Sequence, residues 1–168
     1  IQMKSIYLRN FAATATMVFI CFLVVTFSFV GIGKNYLINE YHTDMVNSAR
    51  EVSRTATALT QTDTLSSWAV GMYISSIANS TGNHILIADT DGVILACSDR
   101  TPRCEHVGMA LDNGVVSQLR QNGTMDQMSD LGGLYKAKRL VVATAIVDAG
   151  SGERIGYVFV TNVIHNML

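Results

Sequence analysis

From Phe11 to Gly33 the chain runs FAATATMVFICFLVVTFSFVGIG, 23 consecutive residues without a charge. As a helix, such a run crosses a bilayer hydrocarbon core of about 30 Å. Lys4 and Arg9 precede it, and after Lys34 the flank turns mixed, with Glu40 and Asp44. The positive-inside rule therefore assigns residues 1–10 to the cytoplasm, 11–33 to a transmembrane helix and everything after 34 to the exterior. The alternative is a cleaved signal peptide, whose apolar core would be about 7–15 residues and would end in small residues at a cleavage site. FSFVGIG is a poor site of that kind, so the run is an anchor.

Behind the anchor there is no glycine from Lys34 until Gly71, and the one proline is Pro102. Apolar or small residues recur at Leu37, Tyr41, Met45, Ala49, Val52, Ala56 and Leu59, in steps of four that from Ala49 alternate with steps of three. That spacing makes one stripe on a helix, its later part with the period of a coiled seam. The membrane helix is thus expected to continue as a long helix to about Thr60, reaching roughly 40 Å beyond the bilayer at 1.5 Å per residue. The stripe can cover the domain's own sheet, pair with a second subunit, or do both. TQTDTLSS then supplies N-cap residues for a second helix. Its predicted inner face carries Leu65, Trp68, Ala69, Met72 and Tyr73, with Trp68 in the core and Gly82 at the stop.

The pattern then changes. Residues 84–89 and 92–98 are predicted strands joined by DTDG, a turn in which Gly92 can take positive φ. Val115, Val116 and Leu119 mark a short helix ended by Asn122-Gly123, and 124–129, 134–148 and 155–163 complete five strands. Five antiparallel strands with flanking helices define an α+β class.

With a net charge of −1 there is no electrostatic basis for nucleic-acid binding. Cys21 lies in the membrane run. Cys97 and Cys104 fall outside it, where oxidising conditions permit a disulfide. A bridge between them would close a loop worth about 2–3 kcal/mol of chain entropy. The alternatives are free thiols, or a metal or redox site using Cys97, Cys104, His106 and His84. The spacing C-x6-C-x-H is not an established zinc motif, so no metal is assigned. Asp89 and Asp91 suit turn chemistry better than calcium or catalysis. Met109, Met125 and Met128 are expected to fill core. His84, His106, Ser98 and Asp99 are fragments of a triad without ordered spacing, and no nucleophile or phosphate-loop motif occurs. No catalytic residue and no cofactor is assigned.

In combination, ILIADTDGVILACSD, the VGMAL segment, the strand ending ATAIVD and GERIGYVFV resemble the extracytoplasmic PAS-like (Cache) sensor domain of bacterial transmembrane sensor histidine kinases. The resemblance covers Lys34 to Asn162. It implies an N-terminal transmembrane helix continuing into a long helix, then a PAS-like five-stranded antiparallel sheet with flanking helices at 34–162. Residues 163–168 would be the start of a truncated second membrane segment. The implied function is ligand sensing for a two-component kinase whose catalytic part is absent from this chain. The same module in a chemoreceptor, or a metal, redox or protein-partner sensor using Cys97, Cys104 and His106, stays open.

Citrate- and dicarboxylate-sensing members of that family carry Arg-x-x-His after the second strand, and RCEH places Arg103 and His106 at this spacing. A guanidinium and an imidazolium can grip a carboxylate through charge-assisted hydrogen bonds. The family's later basic pair is missing, because Val141 and Ala143 stand at those positions, with Lys136, Lys138 and Arg139 a few residues early. DRTPRCEH as a solvated loop is the competing reading. The expected ligand-binding set is Arg103, His106, Tyr135, Lys138 and Thr144. A small molecule, a carboxylate in the specialised case, the membrane and a second copy of the chain are the expected partners.

Overall fold

The structure, a computed structural model, describes residues 2–60, 64–99 and 104–163, with the side chains of 2–5 and 33–39 set aside. Two units are distinguished, Ile1–His42 and Thr43–Leu168. One helix, α1 (Gln2–Leu59), runs through the first and into the second.

In the first unit, Ile6–Ile32 is long and apolar enough to cross a membrane, and none of it is buried. Within it, Thr16 and Thr26 donate to the carbonyls of Ala12 and Phe22 at 2.7 and 2.8 Å, so these hydroxyls are satisfied inside the helix.

The second unit contains the end of α1, α2 (Trp68–Thr81), β1 (His84–Ala88), β2 (Ile94–Cys97), α3 (Asn113–Asn122), β3 (Thr124–Ser129), β4 (Arg139–Val147) and β5 (Arg154–Asn162). The strands form one antiparallel sheet of order β2-β1-β5-β4-β3. Helix ends follow local chemistry. The Ser67 hydroxyl caps α2 by accepting from Val70 N, and Asp112 caps α3 by accepting from Gly114 N. Gly82 and Gly123 close the two helices in the left-handed region.

Strand alternation divides the core in two. Ile85, Ile87, Val142, Ile146, Val158 and Val160 face one layer, made of Met45, Ala49, Val52 and Ala56 of α1 with Val70, Ile74 and Ala78 of α2. Part of the long-helix stripe therefore covers the domain's own sheet. Leu86, Ala88, Val141, Ala143, Tyr157 and Phe159 face the other side, beneath α3 and the loop after β3. Because both faces are covered, the central strands are apolar at nearly every position. Gly156 is required where β5 passes β1, since a Cβ there would lie 2.5 Å from the Ala88 carbonyl oxygen. The outer edge of β2 is partly covered by the returning chain, which pairs Ala110 with Val93.

Three expectations are corrected. The fourth strand begins at Arg139, not 134. Residues 130–138 form a loop in which Leu131 (φ 55°), Gly132 (φ 74°) and Gly133 (φ 90°) are left-handed, and buried Leu131 and Tyr135 anchor it on the sheet. Trp68 is 80 % exposed and Met72 is 55 % exposed. The inner face of α2 is the four-residue row Val70, Ile74, Ala78; Trp68 lies two positions from Val70, about 200° around the helix. Of the three methionines, Met125 is in the core, but Met109 and Met128 are exposed.

Candidate functional site

Antiparallel pairing brings alternate strand ends together. The start of β1, the ends of β2 and β5 and the start of β4 share one end of the sheet. His84 and Thr161 are directly paired across β1 and β5 on the face shared with Leu86 and Phe159. Tyr135 comes down on them from the 130–138 loop, and the turn at 105–108 places His106 alongside.

The result is a compact ring of polar groups. His84 Nδ1 is 2.7 Å from the Tyr135 hydroxyl, and His84 Nε2 is 3.1 Å from Asp99 Oδ2. The Thr161 hydroxyl lies 3.3 Å from the Tyr135 hydroxyl. The rings of His84, His106 and Tyr135 pack with centroids 5.5–5.9 Å apart. The Arg139 guanidinium sits 4.0 Å over the Tyr135 ring, a cation–π contact. Cys97 and Cys104 are joined as a disulfide with Cα atoms 6.4 Å apart.

Burial pushes the His84 imidazole below its ordinary range, with His106 and Arg139 adding to that and Asp99 opposing it. At neutral pH the contact to Asp99 is thus a hydrogen bond donated by a neutral ring. Nδ1 then accepts from Tyr135, whose oxygen can accept from Thr161. Burial likewise holds the Tyr135 phenol above its usual value, so it remains a donor.

The expected residues divide. His106 and Tyr135 meet in this ring. Arg103 lies outside the described residues, as do 164–168 of the expected second membrane segment. Lys138 is exposed. Thr144 is half-buried and shares the strand face of Val142 and Ile146, which pack against α1 and α2, so it lies on the opposite side of the sheet. Ser98 also belongs elsewhere: its hydroxyl accepts from Ile85 N at 2.9 Å, and no Ser-His-Asp triad forms. Sequence reasoning missed Arg139 as a member and held His84 and Asp99 only as fragments. The available signal was that His84 opens the first predicted strand; Arg139 stood inside a strand expected to begin at 134 and becomes a boundary residue only in the structure.

An antiparallel sheet of this order, with α1 and α2 on one face and α3 on the other, is a PAS-like α+β fold. Two solved structures are similar to it. One is the E. coli DcuS sensor domain, at 15 % identity and TM-score 0.54, with 74 % of this chain and 92 % of that one covered. The other is the sensor domain of the V. cholerae histidine kinase DctB, at 14 % identity and TM-score 0.51, with 82 % of this chain and 52 % of that one covered. No family model and no curated protein matches the sequence.

Proposed function

We propose that this chain is the extracytoplasmic ligand-sensing input of a transmembrane sensor histidine kinase, itself without catalytic activity and working as a homodimer. Its amino terminus is cytoplasmic and its ligand is a small carboxylate. The observation that carries the ligand class is that Arg139 and His106 both pack against Tyr135. A planar guanidinium and an imidazole beside an aromatic wall match the donors that a carboxylate needs. Arg139 supplies from the start of β4 the second cation that the sequence pattern leaves out at Val141 and Ala143. Arg103, which the RCEH spacing pairs with His106, is proposed as a further cation on the sequence pattern alone.

The position suits signalling. Thr161 contacts Tyr135 at the end of β5, where the chain leaves the sheet. A ligand that draws the 104–108 and 130–138 segments together would act on that strand end. It can shift a two-state output only by its difference in affinity for the two states.

The test is a thermal-shift series on the full chain in detergent with di- and tricarboxylates. A ligand at one hundred times its Kd stabilises by about 2.7 kcal/mol, a readily measured rise in Tm. Arg139→Ala should abolish the rise while leaving the unliganded Tm nearly unchanged. If no carboxylate raises Tm, the proposed ligand class is wrong.

A further inference from the structure

Carboxylate recognition makes no use of the sulfur atoms beside the ring, yet each half of the disulfide faces its own imidazole. Cys97 Sγ lies 3.5 Å from His84 Nε2, and Cys104 Sγ lies 3.4 Å from His106 Nδ1. The four residues come from three separate places: the start of β1, the end of β2 and the turn beyond it. Donor atoms of His84, Cys97, Asp99 and His106 all fall within 4.8 Å of one another. We propose that Cys97, Cys104, His84 and His106 form a redox-gated site for a tetrahedral, thiolate-preferring divalent metal of the zinc class, closed while the disulfide stands and opened by its reduction.

The donor set and the spacing both fit. Two thiolates and two imidazoles are an established zinc set, with Zn–S near 2.3 Å and Zn–N near 2.0–2.1 Å. Those bond lengths place neighbouring sulfur and nitrogen ligands about 3.5 Å apart on a tetrahedron. The two observed sulfur–nitrogen distances already have that value. On reduction the sulfurs need only separate from bonding distance to about 3.8 Å. With Nε2 on the metal, the His84 proton moves to Nδ1 and is donated to the Tyr135 hydroxyl oxygen, the outer contact that metal-bound histidines ordinarily keep. Asp99 remains at hand to accept from a ligand or to join the site.

The chemistry balances with a dithiol as reductant. Its two sulfurs become a disulfide, giving up two electrons and two protons, and Cys97–S–S–Cys104 becomes two thiols. Metal binding then releases the two thiol protons to solvent and leaves a neutral metal–dithiolate unit. A covalent staple on the segment between residues 97 and 104 is thereby exchanged for a metal staple that also recruits His84 and His106. Because His106 would then be a metal ligand, occupancy withdraws it from any anion at the same place.

The test uses the full chain in detergent and cobalt(II) as the spectroscopic probe. Protein reduced with a phosphine is compared with oxidised protein in a buffer free of carboxylates. The reduced chain should bind one cobalt(II) per chain with thiolate-to-metal charge-transfer bands and intense tetrahedral d–d bands. One equivalent of zinc(II) should displace them, and the oxidised chain should show no charge-transfer band. Cys104→Ser should lose most of that band, and His106→Gln should weaken cobalt(II) binding by about 10-fold or more. The comparison of reduced with oxidised wild-type protein needs no variant and so does not depend on variants folding. Absence of a charge-transfer band in the reduced chain overturns the proposal, as does an unchanged band in Cys104→Ser. Neither result bears on carboxylate binding, which is read separately by thermal shift.

Discussion

His84 Nδ1 lies 2.7 Å from the Tyr135 hydroxyl, although 51 positions separate the two residues in the chain. This contact ties the first residue of β1 to the loop before β4, and Thr161 extends it to the end of β5. The start of β1, the β3–β4 loop and the end of β5 are thereby joined at one point. Tyr135→Phe should cost about 1–2 kcal/mol in denaturant unfolding, because buried partners lose their hydrogen bond while the ring's packing is kept. An unchanged unfolding midpoint would show that the hydroxyl is not part of the framework.

The disulfide closes a short loop, so its stabilising effect should be modest. Cys97→Ser with Cys104→Ser together should lower stability by about 2–3 kcal/mol at full oxidation. Under reducing conditions, without added metal, wild-type and double variant should melt nearly together. A wild-type Tm that is insensitive to reductant would remove the bracing role.

Trp68 and Ile74 make opposite predictions on the same helix. Trp68→Ala should change stability by no more than about 0.5 kcal/mol, since the ring is largely in solvent. Ile74→Ala removes a fully buried side chain between α1 and the sheet and should cost about 2–5 kcal/mol. Equal losses in chemical denaturation would return Trp68 to the inner face.

The β4–β5 turn carries a pH dependence. Asp148 accepts from Ser151 N at 2.7 Å, the Ser151 hydroxyl at 2.9 Å and Gly150 N at 3.1 Å, which hold its carboxyl below the usual range. The folded state therefore favours the ionised form. That contribution is complete above the unfolded value of about 3.9 and is lost as pH falls through the lower folded value. Side-chain NMR titration should find Asp148 below the usual carboxylate range, and Asp148→Asn should flatten the acid limb of the Tm–pH curve. An Asp148 that titrates within the usual range would mean the turn bonds are not formed in solution.

By itself the sequence determined the long apolar helix, its continuation behind that run, the caps at Gly82 and Gly123, the DTDG hairpin and the number of strands. Each rests on a local rule: an uncharged run of sufficient length, a heptad-like stripe, or a turn that needs aspartate and glycine. Only the tertiary structure decided which residues share a face. Strands such as LVVATAIV are covered on both sides and so carry no alternation, which left Thr144 free to be placed on the wrong one. Trp68 shows the same effect on a helix, where apolarity alone could not distinguish the row that meets the sheet from the row that meets solvent. The ring of His84, Asp99, His106, Tyr135 and Arg139 depends on strand order, because antiparallel pairing gathers residues that are up to 55 positions apart in the chain. No spacing rule in one dimension encodes such a meeting; it arises from the register in which the strands pair.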